Sequence, residues 1–475
     1  MTLSSEDREL AFTPAHDLVK LMKLKKLSPL ELVTAILRRI KEINTKIGAY
    51  ITVAEEQAIQ SARQAEEAIS KNKHLGPLHG LPVSFKDLYN TKGIRTTRGS
   101  LLYKDFVPDV DCPIADRLKK AGAIIIGKTQ APEFGSSNTS ENKVGPPARN
   151  PWDTGKTAGG SSGGAAAAVA AGLSPIADGT DGGGSIRIPA SLCGVYGLKP
   201  TTIINRVPYD ADPITGAIEE GATHGPISRN VRDAALMMNV ISGPYPGAYN
   251  CIQTKSPDFI KELDVSLGKL KISWSRDLGV AKINSEYTSI AEKAAYAFKM
   301  LGHVVEEATP LMGNPFKVWQ DVLSPWVDIN VGNVYDKNPE DLMVYTRKAI
   351  EYSRKLKPTD VAKAWSEVGK WRGSMRDIFD KYDLLITPTA SPAWPLGDIL
   401  IPDKPDFINF DYTPFTLQFN LTGNPAATCP CGFTSQGLPV GLQIIGRVGD
   451  EVTVLRASLA FEQIRPWANK FPDIS

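Results

Sequence analysis

Apolar residues recur at helical spacing in several stretches of the chain, and the first opens on a clear cap. Leu32, Ile36, Leu37 and Ile40 follow Ser28-Pro29-Leu30-Glu31, where serine caps, proline takes the first helical position and glutamate stands three residues after the cap. A second helix is predicted over Glu55–Ser70, completing an N-terminal helical segment across residues 1–72. Beyond Gly76-Pro77 and Gly80 the pattern shortens into unbroken apolar runs. Residues 81–89 and 123–127 predict buried strands, with a helix over 114–121 between them. Further strands are expected at 269–274, 383–387 and 440–445. Helices are expected at 186–192, Val231–Ile241, 287–301, 361–380 and Glu451–Ile464. Strand-helix-strand order implies a sheet with helices packed on its faces. Residues 310–415 carry more Trp, Pro and polar positions with weaker periodicity, which predicts a variable, substrate-facing region.

The candidate chemistry lies where the periodicity is interrupted by glycine. Residues 159–184 hold nine glycines, in Thr157-Ala-Gly-Gly-Ser-Ser-Gly-Gly-Ala165 and Asp178-Gly-Thr-Asp-Gly-Gly-Gly-Ser-Ile-Arg187. Clustered glycines let backbone amides approach a ligand unshielded by side chains. The flanks are apolar and periodic, so this is no flexible linker. A phosphate loop ends in Gly-Lys-Ser/Thr, whereas Lys156 precedes these glycines, which argues against nucleotide binding. A Gly-x-Ser-x-Gly nucleophile would need a histidine partner. The histidines are His16, His74, His79, His224 and His303; only His224 follows Ser185 in a context worth weighing, and it reads first as a packed residue. A serine nucleophile without histidine needs another base. Lysine serves when burial lowers its pKa from about 10.4 toward neutrality. Lys86, ending the apolar run 81–86, is the candidate. The residues alone leave open a pair with Asp87 or an exposed strand end.

Lys86, Gly159-Gly-Ser-Ser-Gly-Gly164, Gly179-Thr-Asp-Gly-Gly-Gly-Ser-Ile-Arg187 and Cys193-Gly-Val-Tyr-Gly-Leu-Lys-Pro-Thr201 together resemble the amidase signature family. Matching text continues through Asn150-Pro-Trp-Asp153, Gly225-Pro-Ile-Ser228, Asn420-Leu-Thr-Gly-Asn-Pro425 and Gly437-Leu-Pro-Val-Gly-Leu-Gln443, so the resemblance runs almost end to end. It implies an α/β fold, a single domain over residues 1–475 with a mixed twisted central β-sheet covered by helices on both faces and a catalytic signature core at 73–205. It implies a Ser-Ser-Lys triad. Ser185 would be the nucleophile, forming an acyl-enzyme; Ser161, with a cis peptide bond, would bridge it to Lys86, the base. The amides of Gly182, Gly183 and Gly184 would form the oxyanion hole. Ser185 would open the helix at 186–192, whose positive end would reinforce that field. Asp181 and Arg187 would pair, Ser162 would add a supporting hydrogen bond, and the loop Gly135-Ser136-Ser137 would line the acyl side. Gly182 stands where the family more often has Thr or another side chain, which predicts an open loop admitting a bulkier acyl or aryl group.

The resemblance implies hydrolysis of a carboxamide C–N bond without a cofactor or metal. Trp319, Trp326, Trp371, Trp394, Phe410, Phe415 and Phe419 suggest a neutral, apolar or aryl amide, an ester or a carbamate, although core packing also accounts for such residues. The alternatives are the glutaminase subunit of a tRNA-dependent amidotransferase, from which Gly182 and the substrate region would set the chain apart, and a catalytically inactive binding protein. The 475 residues carry 54 Lys+Arg against 52 Asp+Glu, a net charge of +2, which supplies no electrostatic reason for a nucleic-acid or membrane partner. With 42% hydrophobic and 22% charged residues the chain reads as globular. The five cysteines lack metal-ligand spacing and fit a reducing compartment. The first ten residues lack a secretion-signal pattern, and the Ala-rich run at 165–173 is too short for a membrane span. A cytoplasmic monomer or homodimer is expected.

Overall fold

The computed structural model describes residues 5–73, 75–209, 219–246, 248, 250–281, 284–397 and 412–474. Its strands are β1 (Tyr50–Val53), β2 (Pro82–Lys86), β3 (Ile124–Thr129), β4 (Arg149–Asn150), β5 (Asp153–Thr157), β6 (Ile176–Asp181), β7 (Tyr196–Lys199) and β8 (Thr223–Ser228). They continue as β9 (Lys271–Trp274), β10 (Val304–Glu307), β11 (Leu384–Pro388), β12 (Ala426–Phe433) and β13 (Pro439–Ile445). Eleven of them form one sheet in the order β1-β3-β2-β6-β8-β7-β12-β13-β11-β9-β10. Parallel pairing of β2 with β3 and β6, and of β9 with β10 and β11, is joined by antiparallel pairs through the middle. The expected mixed sheet is therefore present.

Ser28 caps the helix Pro29–Ile47, its Oγ accepting from the amides of Leu30 and Glu31, and Gly48 ends it in the left-handed conformation. The Ala-rich run is a wholly buried helix, Gly163–Ala170. A methyl group on Gly164 would lie 2.3 Å from the Gln130 nitrogen and 2.4 Å from the Ala49 oxygen, so only a side-chain-free helix fits beneath the site. Residues 315–379, expected to be weakly ordered in pattern, form three helices: Pro315–Tyr335, Val344–Ser353 and Pro358–Phe379. Their apolar residues, with Phe415 and Phe419, make a second hydrophobic core. Periodicity was weak because the first of these helices contains Pro325 and buries residues on more than one face. No helix among the described residues is long and apolar enough to cross a membrane.

Two glycine-to-alanine changes should move stability in opposite directions. Gly164→Ala forces the backbone apart and is expected to cost about 1–3 kcal/mol. Gly369→Ala, in open space within Pro358–Phe379, should gain up to about 1 kcal/mol. Thermal melts of both variants test the comparison.

Candidate active site

Lys86 ends β2, an apolar strand, and is completely buried with it. Its Nζ lies 2.7 Å from Ser161 Oγ, 2.9 Å from Thr180 Oγ1 and 3.4 Å from the Thr180 carbonyl oxygen. Burial disfavours the ammonium; the more distant Asp178, Glu219 and Asp181 favour it. Burial wins, and the pKa falls from 10.5 to about 7. Asp87 is no partner: its carboxylate accepts from the Thr97 amide at 3.1 Å and from the Thr97 hydroxyl. The lysine is aimed at the serines instead. Thr180, which lies within the second glycine motif but was assigned no role there, is its second contact.

The Gly160–Ser161 peptide is cis, and a methyl group on Gly160 would meet the Thr139 oxygen at 2.1 Å. Ser161 and Ser185 line one cleft of about 40 Å³. The Ser162 amide donates to the Ser185 carbonyl at 3.1 Å, and Ser162 Oγ bonds the Thr180 backbone on both sides, stitching the two glycine loops together. Among the described residues no hydrogen bond joins the Ser161 and Ser185 hydroxyls. Of the expected relay, the Lys86–Ser161 half is formed.

The loop that carries Ser185 is held by a buried ion pair. Asp181 and Arg187 are both fully buried, with two guanidinium-carboxylate contacts of 2.9 Å. Burial alone would raise the Asp181 pKa, but the Arg187 charge and hydrogen bonds drive it well below the usual carboxylate range. Arg187 also donates to Gln443 at 2.7 Å and Asn420 at 2.6 Å. The sequence motifs at 420–425 and 437–443 thus supply braces for this pair.

Two carbonyls set the direction of the loop amides. Trp319 Nε1 donates to the Gly182 oxygen at 3.2 Å, and Thr416 Oγ1 to the Gly183 oxygen at 2.8 Å. In a trans peptide the following N–H points the opposite way. The Gly183 amide therefore faces away from Trp319, and the Gly184 amide meets Asp181 Oδ1 at 2.7 Å. This corrects the expected oxyanion hole: Gly184 spends its donor on Asp181. Gly182, Gly183 and Ser185 have amides without a hydrogen bond among the described residues. The helix is Arg187–Cys193, starting two residues beyond Ser185, and the Ile186 and Arg187 amides donate to Asp181 Oδ2. Its positive end is directed at that carboxylate.

Gly182 does not open the loop. A methyl group there would lie 2.2 Å from Glu219 Oε1, so the glutamate occupies the expected space. Gly135 and Ser136 line the cleft, with Phe134 and Gly135 in left-handed backbone. Ser137 joins them, and the Ser136 and Ser137 hydroxyls are buried without a partner. His224 packs its ring 4.4 Å from Tyr89 with Nδ1 3.0 Å from Asp178 Oδ1, outside the cleft lining. Trp319 and Trp326 line the cleft; Trp371, Phe415 and Phe419 belong to the second core, and Trp394 packs on Ile188 and Leu192. Phe410 lies outside the described residues. The five cysteines are unpaired, and among the described residues no group of His, Cys, Asp and Glu could hold a metal ion.

Residues 31–455 match the family model described as Amidase. The chain is 34% identical to an acylamidase of Rhodococcus erythropolis over 98% of both chains. It is 36% identical to a glutamyl-tRNA(Gln) amidotransferase subunit of Moorella thermoacetica, over 98% of this chain and 99% of the relative. Overall identity therefore does not set it apart from that amidotransferase component. Among solved structures, a 6-aminohexanoate cyclic dimer hydrolase complexed with substrate superposes with a TM-score of 0.88 at 28% identity, covering 98% of this chain and 99% of its own. A bacterial aryl acylamidase of the amidase signature family gives 0.87 at 29%, covering 96% and 97%.

Replacing Arg187 by Met leaves Asp181 buried without its counter-charge and should cost about 3–5 kcal/mol, read by denaturant unfolding. Lys86 also ties stability to pH. Between pH 7 and 10.5 the unfolded chain binds the proton that the folded chain has released, so this contribution to stability rises with pH across that window. Unfolding midpoints of wild type and Lys86→Met should diverge in slope there.

Proposed function

The chain belongs to the amidase family, and on that premise we propose that it hydrolyses a carboxamide through an acyl-enzyme on Ser185, with Lys86 as base through Ser161. It is a hydrolase of non-peptide C–N bonds. The observation that carries the residue assignment is a buried lysine, its pKa lowered to about 7, 2.7 Å from a serine hydroxyl in the cleft that also holds Ser185. A neutral amine has the lone pair an ammonium lacks. Ser161 passes its proton to Lys86 and takes one from Ser185, whose Oγ attacks the carbonyl carbon. The carbonyl π electrons move to oxygen, and the resulting oxyanion is met by the Gly182 and Gly183 amides. Removal of one such donor typically costs about 3–4 kcal/mol. As the C–N bond breaks, the proton returns through Ser161 to the departing amine. Water then attacks the acyl-enzyme by the same relay, releasing the acid and restoring Ser185.

The cleft supports an amide flanked by apolar or aryl groups, since Leu88, Phe134, Ile188, Trp319, Leu323 and Leu417 wall it. Esters and carbamates of similar shape fit the same chemistry. The unpaired cysteines support a cytoplasmic setting, and nothing in the mechanism needs a partner chain. The identity to the amidotransferase relative favours a second reading, a glutaminase that works only in complex.

The purified single chain should turn over an anilide. Ser185→Ala should abolish this, and Lys86→Ala and Ser161→Ala should each cost at least about a hundredfold in kcat. No turnover across acyl, aryl and carbamate panels, with glutaminase activity appearing only beside partner subunits, would favour the second reading. For wild type, kcat/KM should rise with pH through about 7, the point at which Lys86 loses its proton; a pH-rate profile on the anilide checks this.

A further inference from the structure

Beside the catalytic cleft lies a side cavity of about 150 Å³, walled by Trp319, Trp326 and Trp365 and bounded by Gly182, Glu219 and Glu220. Gly182, Glu219, Trp319 and Trp326 also line the cleft, so the two spaces adjoin at the proposed oxyanion hole. Glu219 is fixed from one side: Tyr209 donates to Oε2 at 3.0 Å, and the Tyr209 hydroxyl is itself hydrogen-bonded to that of Tyr89. Oε1 is the oxygen that abuts Gly182.

A carboxylate at this position is at odds with catalysis. Negative charge develops on the substrate oxygen within reach of the Gly182 and Gly183 amides, and an anion beside them opposes it. Burial pushes the Glu219 carboxyl up, which eases the conflict only by protonation. The other charged groups here are Lys86, which attracts the Glu219 charge without touching it; Asp181, which repels it; Glu220, exposed at the cavity edge; and Arg372, whose guanidinium donates to the Leu421 carbonyl and faces Glu220. None of them contacts Glu219 as a counter-ion. Three indoles around one carboxylate are the surroundings that bind an organic ammonium, by cation–π attraction to the rings and a charge-assisted hydrogen bond to the acid.

We propose that this cavity is a subsite for a primary ammonium group carried on the substrate's apolar chain, held by Glu219 between the Trp319, Trp326 and Trp365 faces. The substrate class becomes amides of amino-bearing alkyl chains, whose cation offsets the Glu219 charge beside the oxyanion. The inference rests on the acyl-enzyme reading for its place in turnover, but binding at the cavity is testable apart from it.

The test uses two matched pairs: valeramide with its ω-amino derivative, and N-pentylacetamide with its ω-amino derivative. In at least one pair, wild type should favour the ammonium member by about tenfold or more in kcat/KM, and Glu219→Gln should bring that ratio to within about threefold of unity. In a Ser185→Ala background, pentylammonium should quench tryptophan fluorescence at lower concentration than pentanol, and Glu219→Gln should remove the difference. Absence of an ammonium preference in both pairs, or its persistence in Glu219→Gln, overturns the subsite. So does equal quenching by pentylammonium and pentanol. Failure of wild type to hydrolyse any of the four amides strikes the acyl-enzyme reading instead, and the fluorescence titration still decides the subsite.

Discussion

The buried Asp181–Arg187 pair is the constraint around which the site is built. It joins the end of β6 to the following helix and spans the five residues between them, Ser185 included. Arg187 reaches on to Asn420 and Gln443, so the loop is anchored to parts of the chain more than two hundred residues away. Removing two charges from water is costly, and a pair this deep persists only when nearly every lone pair and proton is matched. Here the matching partners are loop amides. The ion pair therefore decides which backbone donors are free to meet a substrate and which are not.

Lys86 shows the opposite solution to burial. It has hydroxyl and carbonyl neighbours but no touching carboxylate, so it sheds its proton instead of finding a counter-charge. Lys86 and Asp181 lie at the ends of β2 and β6, which pair in parallel. One ionisable group is kept charged by contact, and the other, without a touching counter-charge, has its pKa lowered to about 7 by burial.

Much of this was legible before any coordinates. The glycine-serine loops, the lone lysine and the strand-helix alternation are local patterns, and each survived into the fold. What stayed hidden depends on contacts between distant segments. Gly182 looked like an opening because its neighbour in space, Glu219, is 37 positions along the chain. Gly184 looked like a free donor because no sequence pattern reveals where Asp181 places its oxygens. The helices Pro315–Tyr335 and Val344–Ser353 were obscured by Pro325 and by residues that serve a second core rather than one amphipathic stripe, whereas the helix expected at 361–380 is present as Pro358–Phe379. Thr180 lies inside a glycine motif that gave it no role, and Tyr209 carries no distinctive spacing at all.

The Gly163–Ala170 helix carries only small side chains, and its two glycines abut the Ser140 side chain and the Gln130 and Ala49 backbone. Evolution can therefore change little in this floor without unseating Ser161. The roof is different: Trp319, Leu323 and Trp326 project from a helix that packs in its own hydrophobic cluster. Substitution in that layer changes the walls a substrate would meet while the glycine floor beneath Ser161 stays in place.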